Sequence, residues 1–267
     1  MAAFFERLTE GLFFQTDKRP YWDITHFGLK GEHVRITGPN HSEIAGLFMP
    51  AFFLPEAPEP HAKGTILFAH SCEHNMQYHL PQITWLVAAG FNVFTYDPRG
   101  CGQTEGSIDL QTVVEDIGFA WDYLKTREEV NEQEIIVFGQ RVGAYAALQW
   151  ASHRNDVASL VLESIWATQS GWLTSRYGPG IGHLLASLCP MRPDPIEAMK
   201  HLSIPIALVV GEDDDRIPES EQKRLMDALP GHCEIWMEKG TRALGIFPQP
   251  STARNRFLAF TKNVLSK

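Results

Sequence analysis

From Thr65 onward, short runs of β-branched and aromatic residues alternate with longer amphipathic runs. Thr65–Ala69, Asn92–Tyr96, Glu134–Phe138, Val157–Leu162, Ile206–Val210 and Cys233–Met237 read as buried strands. Gln82–Ala89, Asp109–Lys125, Val142–Ser152, Ser220–Leu229 and Ala253–Val264 read as the helices among them. Strands and helices alternating at these lengths predict βαβ units, hence an α/β fold with a mostly parallel central sheet and helices on both faces. Upstream, two strand-like runs, His33–Ile36 and Ile44–Leu54, lead into the loop Pro55–Lys63 with its three prolines. Phe4, Phe5, Leu8, Leu12 and Phe13 share one helical face, so residues 4–14 read as an amphipathic opening helix packed on the body of the protein.

One stretch breaks the alternation. Ser164 to Leu202 lies between two strands and carries Trp166, Trp172, Tyr177, a Gly178-Pro179-Gly180 turn and a proline cluster from Pro190 to Pro195. A single crossover helix does not need so many residues. A small helical cap insertion over residues 164–202 is expected at the carboxyl ends of the strands, where open α/β sheets bind ligands. Its tryptophans either line an apolar pocket or form the core of the cap, and both readings stay open.

Composition narrows the field. The chain of 267 residues, with 44% hydrophobic and 21% charged residues, can bury a sizeable core as a single domain. A net charge of −9 argues against nucleic acid and anionic membranes as partners. No signal peptide and no membrane-spanning run is read, and four cysteines without paired spacing suit reduced thiols, so a cytoplasmic protein is expected. A homodimer is left open.

The stretch Ile135-Ile136-Val137-Phe138-Gly139-Gln140-Arg141-Val142-Gly143 runs from strand through a tight turn into an alanine-rich helix. That is the context of Gly-x-Ser-x-Gly, the nucleophile elbow. Three further stretches accompany it. Phe68-Ala69-His70-Ser71, Tyr96-Asp97-Pro98-Arg99-Gly100-Cys101-Gly102-Gln103-Thr104-Glu105-Gly106 and Gly211-Glu212-Asp213-Asp214-Asp215-Arg216-Ile217-Pro218 resemble, in this order, the oxyanion loop, the glycine-rich turn and the acid-bearing loop of the α/β-hydrolases. Four such stretches in this order resemble an α/β-hydrolase of the serine-peptidase or esterase type over nearly the whole chain from about Ile44.

The resemblance implies a Ser-His-Asp triad, which this chain does not keep. Arg141 stands where the serine belongs, and no histidine follows His232. Only the acid, Asp214 by register, remains. A guanidinium holds its protons and has no lone pair with which to attack a carbonyl. Losing nucleophile and base together removes nearly all of a triad's contribution, which excludes conventional acyl-enzyme hydrolysis. An arginine at an elbow must be paired or solvated. An Arg141–Asp214 ion pair is the plain expectation, with Glu73 as the other partner. The alternative is an anion held by elbow amides and the arginine fork. Arg242, in the loop that would carry the histidine, is a further candidate contact.

The oxyanion loop, His70-Ser71-Cys72-Glu73-His74-Asn75-Met76-Gln77-Tyr78-His79, has more titratable groups than folding needs. His70, Glu73 and His74 are acid–base candidates, and Cys72 is a substitute nucleophile if a histidine draws out its thiolate. Together with the Gly-x-Arg-x-Gly elbow, this loop is similar to that of exosortase-associated hydrolase-like proteins. His70, Cys72, His74 and His79 lack paired zinc-ligand spacing, and Gly100-x-Gly102 lacks that of a dinucleotide loop, so neither metal nor cofactor is expected.

Three functions follow. The first is a degenerate-triad protein binding a small organic anion or acyl compound, with Gln140, Val142, Arg242, Cys72, Trp166 and Trp172 around it. The second is an enzyme of lyase, decarboxylase or Cys72-dependent acyl-transfer type, in which Arg141 holds a carboxylate and a loop histidine moves a proton. The third is a structural or partner-binding protein whose pocket is filled.

Overall fold

The computed structural model describes residues 13–53, 61–154, 156–188 and 193–266. Its strands, in chain order, are β1 (Gln15–Thr16), β2 (Glu32–Thr37), β3 (Glu43–Met49), β4 (Thr65–Ala69), β5 (Glu73–His74), β6 (Asn92–Tyr96), β7 (Ile135–Gln140), β8 (Ser159–Glu163), β9 (Ile206–Gly211) and β10 (Cys233–Glu238). The helices are α1 (Leu80–Ala88), α2 (Leu110–Lys125), α3 (Val142–Ala151), α4 (Gln169–Tyr177), α5 (Pro179–Leu188), α6 (Pro195–Lys200), α7 (Glu219–Ala228) and α8 (Thr252–Leu265).

Eight strands form one sheet in the order β10-β9-β8-β7-β4-β6-β3-β2. All neighbours are parallel except β3, which runs antiparallel to both β6 and β2. The strands Thr65–Ala69 and Asn92–Tyr96 are buried at every position because helices cover the sheet on both faces. On one face Ile117, Trp121 and Leu124 of α2 and Ala147 and Leu148 of α3 pack with Leu67, Val137 and Leu162. On the other, Ile83 and Leu86 of α1 and Phe257 and Phe260 of α8 pack with Phe68, Phe138 and Val209.

The predicted elements fall where the pattern placed them, with end shifts of one or two residues. The run Ile44–Leu54 is an exception: its strand stops at Met49. Of the opening helix, only the end at Phe13 lies among the described residues, and the loop Pro55–Lys63 is described only from His61. Between β8 and β9 the chain makes α4, α5 and α6. No described helix is long and apolar enough to cross a membrane.

One pairing has no counterpart in the hydrophobic pattern. β1 pairs parallel with β5, Gln15 opposite Glu73 and Thr16 opposite His74, which straps the segment from Phe13 across the oxyanion loop. Phe13 stacks on Trp172 at 4.8 Å and lies 6.0 Å from Trp166. Trp166 in turn stacks on Tyr145 at 5.9 Å. These rings, with Val142, Cys72 and Ile217, form a third core above the carboxyl ends of the strands.

Candidate functional site

Arg141 sits at the turn between β7 and α3, with φ 52° and ψ −111°. A non-glycine residue there is strained, and such strain persists only where the surroundings fix it. Here they do. A Cβ on Gly143 would stand 2.0 Å from the Ala69 carbonyl oxygen, and one on Gly139 would stand 2.5 Å from the Ala144 Cα. Both positions therefore need glycine, whatever residue lies between them. The Arg141 N–H donates to the Glu163 carbonyl at 2.8 Å, which pins the turn to β8.

The Arg141 side chain is 9% exposed, and its Nη1 donates to Glu73 Oε1. Burial pulls its pKa down, and the Glu73 carboxylate opposes that pull. The expected Arg141–Asp214 pair does not form, because β5 brings Glu73 to the guanidinium and Asp214 is engaged by its own loop. Asp214 Oδ1 accepts the N–H of Arg216 at 2.9 Å and of Ile217 at 3.3 Å. Its Oδ2 is buried with no hydrogen-bond partner among the described residues. A second guanidinium joins from the same loop, Arg216 Nη2 lying 3.8 Å from Glu73 Oε1. Its side chain is 31% exposed. One carboxylate thus faces two arginines.

The three histidines of the oxyanion loop differ sharply. His70 and His79 are buried and stack at 5.0 Å. Burial drives the His79 pKa far below its ordinary value, so this ring stays neutral, with Nε2 donating to the Glu73 carbonyl at 2.8 Å. His70 Nδ1 accepts the Cys72 N–H at 3.2 Å, which places the ring proton on Nε2, 3.5 Å from Asp97 Oδ1. His70, Asp97 and Cys101 come near enough to bracket a metal ion. The fit fails, because Nε2 could bind a metal only as a fully deprotonated imidazolate while Nδ1 accepts that N–H. His74 is the accessible one. Its Nδ1 lies 2.8 Å from Asp17 Oδ2, and its side chain is 35% exposed.

Cys72 is buried, and burial with Asp97 nearby pushes its thiol far above its ordinary pKa. No histidine draws off its proton: Sγ lies 3.8 Å from the His70 carbonyl. Nothing in this geometry favours the thiolate that Cys72-dependent acyl transfer would require, and the cysteine sits as a buried thiol.

Gln140 is fully buried, and its Nε2 donates to Glu163 Oε2 at 2.5 Å. Burial, with the Asp214 charge adding to it, raises the Glu163 pKa to about 8. Glu163 Oε1, Gln140 Oε1 and the Ser164 hydroxyl lack partners among the described residues. Val142, Trp166 and Trp172 belong to the third core, where Trp172 Nε1 donates to the Arg216 carbonyl at 3.1 Å. Arg242 is exposed, and its side chain has no polar partner among the described residues. A cleft of about 510 Å³ opens at the amino ends of β4, β6 and β7, lined by His61, Asn92 and Glu134, at the opposite end of the sheet from Arg141.

Four participants had not been singled out in the sequence: Arg216, Glu163, Asp17 and Tyr21. Glu163 alone left a signal, as a charge closing the apolar strand Ser159–Glu163.

The chain as a whole is similar to known proteins. The family model of serine aminopeptidase, S33, matches residues 60–192. The uncharacterized protein YfhR of Escherichia coli K12 is 28% identical over 206 residues, covering 73% of this chain and 66% of the relative. The Caenorhabditis elegans α/β-hydrolase domain-containing protein aho-3 is 30% identical over 186 residues, 67% of this chain and 52% of its own. The chain thus spans about two thirds of the first of these relatives and half of the second. Among solved structures, DcsB in complex with its substrate analogue superposes with a TM-score of 0.70 at 17% identity, covering 89% of this chain and 100% of that one. The Pyrococcus furiosus esterase Pf2001 gives 0.68 at 16% identity, covering 95% and 96%.

Proposed function

We propose that this chain, which belongs to the α/β-hydrolase superfamily, carries a degenerate triad and binds a small organic anion at the former nucleophile position instead of hydrolysing it. A carboxylate or an acyl compound is the ligand class. The observation that carries the reading is the grip of Arg141 and Arg216 on the Glu73 carboxylate. Two guanidinium forks, one from the elbow and one from the acid loop, converge on one carboxylate beside the position where a hydrolase would place its serine, and such forks suit planar anions. Glu73 is the site's resident anion, and an incoming carboxylate takes its place beside the partly exposed Arg216. The helices α4 and α5, with Trp172 on the first and Trp166 just before it, serve as a cap above the site. The alternative of ordinary hydrolysis has no group to act through, since neither Arg141 nor the buried Cys72 thiol supplies a nucleophile.

Thermal-shift titration with formate, acetate and short acyl compounds tests this. A ligand present at a hundred times its Kd stabilises by about 2.7 kcal/mol, which raises Tm by several degrees. The rise is expected in the wild type, greater in Glu73→Ala, and lost in Arg141→Ala. A panel that shifts none of the three proteins refutes anion binding. Covalent labelling by a serine-directed fluorophosphonate would refute the degenerate triad.

A further inference from the structure

We propose that His74 and Asp17 form a proton-transfer dyad at the edge of the oxyanion loop, with His74 Nε2 acting as general base toward water attacking a small aryl ester. The dyad is independent of the Arg141 site. Asp17 Oδ2 lies 2.8 Å from His74 Nδ1. The Tyr21 hydroxyl donates to the same oxygen at 2.7 Å and lies 2.8 Å from Nδ1. A carboxylate at Nδ1 holds the ring proton there, so Nε2 keeps its lone pair. Nε2 has no partner among the described residues, and the side chain is 35% exposed. Of the three loop histidines, only this one can exchange a proton with solvent, since His70 and His79 are 2% and 0% exposed.

The surroundings fix the imidazole more firmly than a surface histidine requires. His74 has φ +61°, a left-handed conformation costly for a residue with a Cβ. It is held there by the pairing of Thr16 with His74 and by Asn75 Nδ2, which donates to the Arg19 carbonyl at 2.8 Å. The Cys101 thiol donates to the His74 carbonyl at 3.1 Å. Orientation by a carboxylate on one nitrogen with the other left free is the arrangement of a catalytic base. Tyr78, 37% exposed, lies 4.3 Å from the imidazole and 5.1 Å from Tyr21, which offers aromatic faces to an aryl group. Arg19 Nε lies 3.6 Å from Asp17 Oδ2, while Glu73, next to His74 in the strand, is turned to Arg141 and Arg216, and Lys18, next to Asp17, pairs with Glu105. The hydrogen bonds from Tyr21 and His74 outweigh burial and hold the Asp17 carboxyl below its usual range.

In the reaction, Nε2 takes a proton from water as the water oxygen bonds to the ester carbonyl carbon. The bond from that carbon to the aryl oxygen then breaks, and the departing phenolate takes the proton back from Nε2. The products are a carboxylic acid and a phenol, with no acyl-enzyme.

Hydrolysis of 4-nitrophenyl acetate by the intact protein tests the proposal. The wild type is expected to exceed free imidazole at equal concentration, without a burst. His74→Asn, chosen because asparagine tolerates positive φ, should lower kcat/KM at least tenfold. His153→Asn, at an exposed histidine elsewhere, should leave the rate unchanged. Asp17→Asn should lower kcat with little change in KM and move the pH profile, an effect that a purely structural Asp17 would not produce. A wild-type rate no greater than that of imidazole, or a His74→Asn protein as active as wild type, overturns the proposal. An Asp17→Asn protein with unchanged kcat and pH profile overturns the dyad.

Discussion

Glu163 is a fully buried acid whose pKa burial and Asp214 raise to about 8. Against the ordinary value of 4.5, the folded state binds this proton more tightly than the unfolded state does. Folding therefore takes up a proton between about pH 4.5 and pH 8, and stability contributed by the neutral carboxyl falls as pH rises through that window. The full difference corresponds to at most about 5 kcal/mol, and about 3 kcal/mol is already lost at pH 7. Glu163→Gln removes the titration while keeping an acceptor for Gln140. Urea unfolding of both proteins at pH 5, 6, 7 and 8 isolates the group, because other titrations cancel in the difference. Glu163→Gln should gain on wild type by about 1.4 kcal/mol per pH unit across the window and level off above pH 8. A difference independent of pH would refute the account of a neutral Glu163.

Two further substitutions probe the elbow. Arg141→Ala leaves Glu73 with only Arg216, 3.8 Å away, and should cost about 3 kcal/mol in chemical denaturation. The double variant Arg141→Met/Glu73→Met should recover most of it, and additive losses would show that the pair is not coupled. Gly143→Ala would bring a methyl to 2.0 Å from the Ala69 carbonyl oxygen and should destabilise by about 3 kcal/mol or more, so a soluble protein with unchanged Tm would contradict the elbow packing.

The layered fold was legible because its signal is local. Asn92–Tyr96 was placed to the residue by its apolar run, and Asp109 announces α2 as its N-cap, accepting from Gln111 and Thr112. The site was only half legible. Arg141 could be placed at the elbow because Gly139 and Gly143 bracket it, and Glu73 could be named beside Asp214 as its partner, but the choice between the two could not be made. The partner is decided by the two-residue strand Glu73–His74, too short to leave a periodic signal and formed by pairing with Gln15–Thr16 far upstream. Asp17 and Tyr21 escaped notice for the same reason: nothing in their own segment marks them until that pairing sets them beside His74. Arg216 lies in the acid loop but gains its role only from the position of Glu73.

The strap from Phe13 to Tyr21 also bears on the order in which the molecule is made. Synthesis releases Gln15 and Thr16 long before Glu73 and His74, and still longer before Trp172, on which Phe13 stacks. The earliest of these segments therefore waits for the latest, and its docking closes a loop of more than a hundred residues, an entropic cost met only once the sheet stands. Without this segment the oxyanion loop lacks its strand partner and His74 lacks Asp17. The conformation of this loop thus depends on a segment more than fifty residues upstream of it.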